Sequence, residues 1–341
     1  MTPDIYNMLE RYIKNPSSLA FFLAFVLFLL PAQGCAQNKT PDVPYSTASQ
    51  DKSILPAEPA LSVFVNQETF NGQTVLLKVS SPSLEQVSLR WGKKTLAITP
   101  TPGEHGLLEA MALLPVGLDA RPEVRKLELL IKDAGKEINQ SVDVRISKKK
   151  YPEQQLKVDP KFVSLSDADL KRHQKERKRV EKVLAARGDE RYWELPFVNP
   201  VPGKVTSLFG VARMFNGVPR SSHKGLDLSG VTGTPIKACA DGKVVLADNL
   251  FFSGNVVYID HGLGVFTMYC HMSEILVKEG SFVHAGEVIG KVGATGRATG
   301  PHLHLSVIVM GTSVDPETLL KPAAGSARDE ISSPTASTGA K

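Results

Sequence analysis

Cysteine is scarce: the chain of 341 residues holds three, Cys35, Cys239 and Cys270. That excludes a thiolate-rich structural zinc site, which needs several cysteines close together. A hydrophobic run of about 20 residues, enough to span a bilayer as a helix, is also missing. The apolar run Leu19–Leu30 has twelve residues. Nor is there a large excess of one charge: the formal net charge is +5. So mild a value carries no nucleic-acid signature, no nucleic-acid module is recognisable, and no nucleic-acid partner is expected. What the chain has in quantity is turn formers, 27 Gly and 23 Pro. They point to many short strands rather than a helical bundle.

The first 36 residues read as a leader, outside the fold. Arg11 and Lys14 precede Leu19–Leu30, which has the length of a signal-peptide hydrophobic region. Gly34 before Cys35 resembles the end of a bacterial lipobox, where the cysteine becomes the lipid-bearing N-terminus. Ala32 and Gln33 depart from the usual Leu and small residue of that motif. Two alternatives stay open: ordinary cleavage near Gly34-Cys35-Ala36, and an uncleaved anchor over the uncharged residues 15–38. All three export the rest of the chain. A lipid on Cys35, followed by Ala36 rather than Asp, would sort it to the outer membrane. The expected location is therefore the cell envelope, in the periplasm and lipid-anchored. Cys239 and Cys270 then either pair or remain two buried thiols.

Composition divides the remainder. Residues 37–58 are polar and rich in Pro, Ser, Thr and Lys, as a tether is. Residues 59–150 alternate with period two in "LSVFV", "TVLLKVS", "QVSLRW" and "KLELLIK", which suggests a small β-sandwich, with an immunoglobulin-like one as a candidate. It carries no cluster of chemistry-bearing residues, and His105 falls in a turn; a spacer or interaction role is expected. Residues 160–190 hold a charged linker helix with Ser166 and Asp169 as a capping box and Gly188 as a stop. Its charges, and His173 among them, are expected to face water. Residues 193–320 are Gly-rich short strands, and 321–341 lack apolar residues and read as a disordered tail.

Six of the eight histidines fall between 223 and 304. In "GPHLHL" His302 and His304 are two apart, so on a strand they share a face opposite Leu303 and Leu305. Such a pair is either two satisfied histidines or a metal ligand beside a catalytic base. His223 and Asp227 stand four apart, but Gly225 favours a loop entering a strand over a helix. Alone they are a weak signal. With His304 they make three nitrogen and oxygen donors, the number a catalytic zinc site uses while leaving a position open. In "TMYCHMSEI" alternation puts Tyr269 and His271 on one face and Cys270 on the other. His261 and His284 lie in turns and are expected to be structural or solvated.

Together "SSHKGLDLSGVTGTPIKACADGKVV", "GNVVYIDHGLGVFTMYCHMSE" and "VKEGSFVHAGEVIGKVGATGRATGPHLHLSV" resemble the lysostaphin-type, LytM-like zinc endopeptidases that cut peptidoglycan cross-bridges. The resemblance covers roughly residues 197–316. It implies His223, Asp227 and His304 as ligands of Zn²⁺, and His302 and His271 as the catalytic pair. It also implies an open antiparallel β-sheet with long Gly-rich loops walling a groove, "KVGATGRATG" forming one wall. The overall class is then mainly β. Glu274, Glu279 and Glu287 sit in turn-like contexts, unlike the glutamate base of helix-borne H-E-x-x-H enzymes. A histidine would take the proton instead: His302 as base, His271 stabilising the oxyanion or sharing the proton, or the reverse. The implied partners are peptidoglycan stem peptides and cross-links, with a D-alanyl–diaminopimelate bond fitting a lipid-anchored envelope protein. Rival readings are a catalytically silent or autoinhibited regulator that activates cell-wall amidases, with the 59–150 domain as its docking element, and a wall-binding adaptor.

Overall fold

A computed structural model describes residues 61–156, 166–186, 188–215, 218–219 and 222–320. The expected leader (1–36) with Cys35, tether (37–58) and tail (321–341) lie outside the described residues.

The period-two segments form two facing sheets. One orders Ser62–Val65, Thr74–Ser81, Leu108–Pro115 and Thr101–Pro102; the other orders Glu68–Phe70, Lys136–Ser147, Glu123–Asp133, Leu84–Trp91 and Lys94–Ile98. Val75, Leu77 and Val79 on one sheet and Val87, Leu89 and Trp91 on the other are buried. Each such side chain contributes about 1.5–3 kcal/mol when fully removed from water. The Trp91 indole N–H donates to the Pro115 carbonyl at 2.8 Å, tying the layers together. Ala134 and Gly135, both at positive φ, make the two-residue turn between the long strands Glu123–Asp133 and Lys136–Ser147.

The second large sheet is antiparallel throughout. Its order is Val205–Ser207, Leu226–Ser229, His302–Val309, Val265–Met272, Gly254–Asp260, Gly242–Leu250 and Phe282–Val283, with Thr312–Val314 also pairing to His302–Val309. Pairing fixes its faces, because directly opposed residues point the same way. Leu226 and Leu228 oppose Leu305 and Leu303, and Tyr269 opposes Leu305. This face belongs to one apolar core continuous with the sandwich. Lys149 Nζ reaches Asp315 Oδ2 at 3.3 Å, and Asp315 N–H donates to the Gly72 carbonyl at 2.7 Å. The sandwich is thus packed directly against this antiparallel sheet.

The opposite face is divided. One part is polar: Asp227 opposes His304 and Ser229 opposes His302. The other part, with Phe266, Cys270, Tyr258, Leu246 and Ile308, is apolar and packs with Val180, Val183 and Leu184 of the helix Asp167–Ala185. Ser166 caps that helix, accepting from Asp169 N–H. The helix ends at Ala185, three residues before Gly188. It is less solvated than its composition suggests. Arg172 donates to the Asn249 carbonyl at 3.0 Å, Arg179 pairs with Asp248 and Glu279, and Phe251 N–H donates to Glu176 at 2.9 Å. His173, expected in water, packs edge-on to Phe252 with ring centroids 4.8 Å apart. Exposed ion pairs are worth about 0.2–1 kcal/mol each, so the three apolar side chains do most of the holding.

Cys239 and Cys270 are buried and free. Burial pushes both thiols up to about 12, which leaves them unreactive at neutral pH.

Candidate metal centre

Asp227 and His304 are cross-strand partners, so their side chains meet by register alone. His223 arrives from the loop just before. Its backbone is pinned to the chain at Val211, with His223 N–H donating to Val211 O and Gly210 N–H to His223 O, both 2.9 Å. Between them Gly225 passes very close: a Cβ there would lie 2.4 Å from Leu305 O and 2.6 Å from His304 Nε2. Only glycine lets the loop approach this nearly.

Three atoms converge. His304 Nδ1 is 2.8 Å and His223 Nε2 2.9 Å from Asp227 Oδ1, and the two ring nitrogens are 2.9 Å apart. The far nitrogens are engaged. His223 Nδ1 donates to the Leu208 carbonyl at 2.8 Å, and His304 Nε2 lies 3.0 Å from Ser306 Oγ. A carbonyl can only accept, so neutral His223 presents a lone pair at Nε2. Burial raises the Asp227 carboxyl, but hydrogen bonds and charge from His223 and His304 outweigh it and hold the group well below the usual carboxylate range. Two imidazole nitrogens, both braced from behind, and a carboxylate oxygen fit a zinc ion with an open position. This is the group His223, Asp227 and His304 that can hold a metal among the described residues.

The other two imidazoles stand beside this set. His302 Nδ1 donates to the Gly300 carbonyl at 2.8 Å, which leaves Nε2 as its proton-accepting atom, 3.8 Å from Asp227 Oδ1. His271 Nδ1 donates to the Thr295 carbonyl at 2.8 Å, and its ring centroid is 4.9 Å from that of His302. Burial first, then the neighbouring His304, lowers His271 to about 4. It is therefore neutral at pH 7.

Alternation misplaces the neighbours of His271. Tyr269 opposes Leu305 and is buried in the core, whereas Cys270 opposes His304. Tyr269 and His271 do not share a regular strand face. His271 takes φ +63, its N–H donates to Ser253 O at 2.8 Å, and the pairing with the next strand shifts register nearby. This bulge re-aims the ring toward His302 and His304, whose ring centroids lie 4.9 and 6.1 Å away. Thr295, within the Gly-rich segment, was not singled out by its spacing. Its carbonyl orients His271, and its hydroxyl accepts from Asn255 N–H at 2.9 Å and donates to Met272 O at 2.8 Å. His261 and His284 lie elsewhere. His261 is buried with both ring nitrogens bonded, to Asp241 O and Thr267 Oγ1; His284 is exposed near Asp241.

The sequence profile of peptidase family M23 matches residues 221–316. A Pseudomonas aeruginosa protein, whose crystal structure is described as that of a candidate M23 peptidase, superposes with a TM-score of 0.56 at 31% identity, covering 74% of this chain and 94% of that one. The chain belongs to peptidase family M23. Two curated relatives are the peptidoglycan DD-endopeptidase ShyA of Vibrio cholerae serotype O1, 43% identical over 119 residues, and the DD-carboxypeptidase/endopeptidase Mpg of Neisseria meningitidis serogroup B, 44% identical over 100 residues. These matches cover 34% and 29% of this chain but only 28% and 23% of the relatives.

Proposed function

We propose that the chain is a zinc-dependent endopeptidase that hydrolyses peptide cross-links of peptidoglycan. One observation carries this: three donor atoms of His223, Asp227 and His304 meet within hydrogen-bond distance, with two further imidazoles held alongside. A zinc ion held there would supply Lewis-acid polarisation of the scissile carbonyl and acidify the attacking water. The chain's own residues do the rest. Asp227 stays ionised and contributes the negative charge of the donor set. The Gly300 carbonyl keeps the His302 proton on Nδ1, so Nε2 takes the proton of the attacking water. His271, held in the same tautomer by Thr295, offers a second neutral acceptor and shares that proton. Putting His302 and His304 on one strand sets base and ligand at a fixed spacing.

The relatives' names support a D,D bond of peptidoglycan, in keeping with the D-alanyl–diaminopimelate link expected from a lipid-anchored envelope protein. Export and lipidation at Cys35 remain part of the proposal and rest on the leader sequence. A silent amidase regulator would not need all five residues in place. The test is digestion of purified sacculi by the exported form with mass spectrometry of the fragments. Cross-linked fragments should be cut, activity should vanish with a chelator, and zinc should restore it. Binding to sacculi without any cut bond would favour the regulator.

A further inference from the structure

Four lysines of the helix Asp167–Ala185, namely Lys171, Lys175, Lys178 and Lys182, are spaced four, three and four residues apart. At about 100° per residue they fall within roughly 60° of azimuth, in a stripe about 16 Å long. All four are exposed. The side chains that pack on the sheet, Val180, Val183 and Leu184, lie on the opposite side of the helix. The arginines behave differently: Arg172 pairs with Glu176, Arg177 with Glu181, and Arg179 with Asp248 and Glu279. None of the four lysines makes an ion pair with a described residue. The arginines are taken up in ion pairs, within the helix or to the sheet, and the lysines are left as a row of charge toward solvent.

The position of this row matters. The helix covers the apolar part of the sheet face that bears Cys270 and Ile308, and the same face bears His304, His302 and Asp227. The lysine row therefore looks outward over the sheet face that bears His302, His304 and Asp227. A bilayer seated on the row would lie over the face that bears the donor set. A polymeric substrate lying along that face would meet the row and the donor set together.

We propose that Lys171, Lys175, Lys178 and Lys182 form a docking track for the anionic substrate polymer, binding carboxylates of stem peptides next to the bond being cut. This rests on the cell-wall reading above and adds the partner's charge. Ammonium groups suit it: they are point charges without a fixed fork, matched to carboxylates spread irregularly along a chain. Such a row raises local substrate concentration and encounter rate, an effect that salt removes.

The test compares the parent with two variants, one carrying Gln at positions 171, 175, 178 and 182 and one carrying Arg there. Each is assayed on intact sacculi and on a small soluble cross-linked muropeptide, and by pelleting with sacculi in chelator. Melting temperatures check the fold. At low salt the Gln variant should cut sacculi about tenfold more slowly than the parent, pellet poorly, and cut the muropeptide within about twofold of the parent. The Arg variant should behave as the parent, and about 0.5 M salt should erase the difference. A Gln variant that pellets with and cuts sacculi like the parent overturns the proposal. So does a parent that binds phosphatidylglycerol vesicles through these lysines but not sacculi. If no form cuts either substrate, the peptidase reading fails, while lysine-dependent pelleting still decides the track.

Discussion

His223 Nε2 and His304 Nδ1 face each other at 2.9 Å. The Leu208 carbonyl occupies the other nitrogen of His223, so a lone pair points into the gap. Asp227 Oδ1 borders the same gap within 2.9 Å of both. Donor atoms gathered this closely must share a hydrogen or a metal ion. A metal that binds only the folded form should stabilise it, by about 2.7 kcal/mol at a hundredfold excess over its dissociation constant. We predict that chelation lowers the melting temperature of the parent, that zinc restores it, and that His223→Ala is insensitive to both. An equal response of parent and variant would place the metal elsewhere.

Thr295 should matter although it touches no ligand. Its hydroxyl clamps Asn255 to Met272 and its carbonyl sets the tautomer of His271. Thr295→Ala should lower the cleavage rate about tenfold or more, the range seen for supporting hydrogen bonds, while zinc content stays near that of the parent. Thr295→Ser, which keeps the hydroxyl, should recover most of the rate. Loss of zinc in Thr295→Ala would show that the residue supports the ligands rather than His271.

His261 gives the fold a pH dependence separate from the metal centre. It is fully buried, and burial lowers it to about 4 from an ordinary 6.5. Between these values the unfolded chain takes up a proton that the folded chain refuses. The stability is therefore complete above pH 6.5 and is lost as pH falls toward 4, by on the order of 3 kcal/mol. In chelator, the gap in urea midpoint between the parent and His261→Gln should narrow from pH 7.5 to pH 4.5. Parallel midpoints across that range would rule the effect out.

Much of the candidate metal set can be read in the sequence because its convergence depends on strand alternation and cross-strand register. "HLHL" alternates as written, with His302 and His304 on one face, and Asp227 meets His304 as a direct partner. His271 could be named but not placed, because its approach depends on a bulge and a left-handed backbone that alternation does not contain. The helix misled for another reason. Val180, Val183 and Leu184 cluster in the last turns of a helix otherwise dominated by charges, too few to reveal a packed face until the apolar patch of the sheet beneath them is seen. The strand Glu153–Leu156 was missed too. It pairs in parallel with Ala212–Phe215, near the backbone that pins His223, and a parallel partner about 60 residues away in sequence leaves no local signal.

The division of labour between His302 and His304 is the central claim, and zinc content measured beside cross-link cleavage tests it most directly. His304→Ala should lose metal and activity together, because two ligands hold zinc poorly. His302→Ala should keep about one zinc per chain and still lose about 10²–10⁴-fold in rate, the range for removal of a general base. If His302→Ala sheds the metal while His304→Ala retains it, or if both retain zinc and cleave at the parent's rate, the assignment of ligand and base is contradicted.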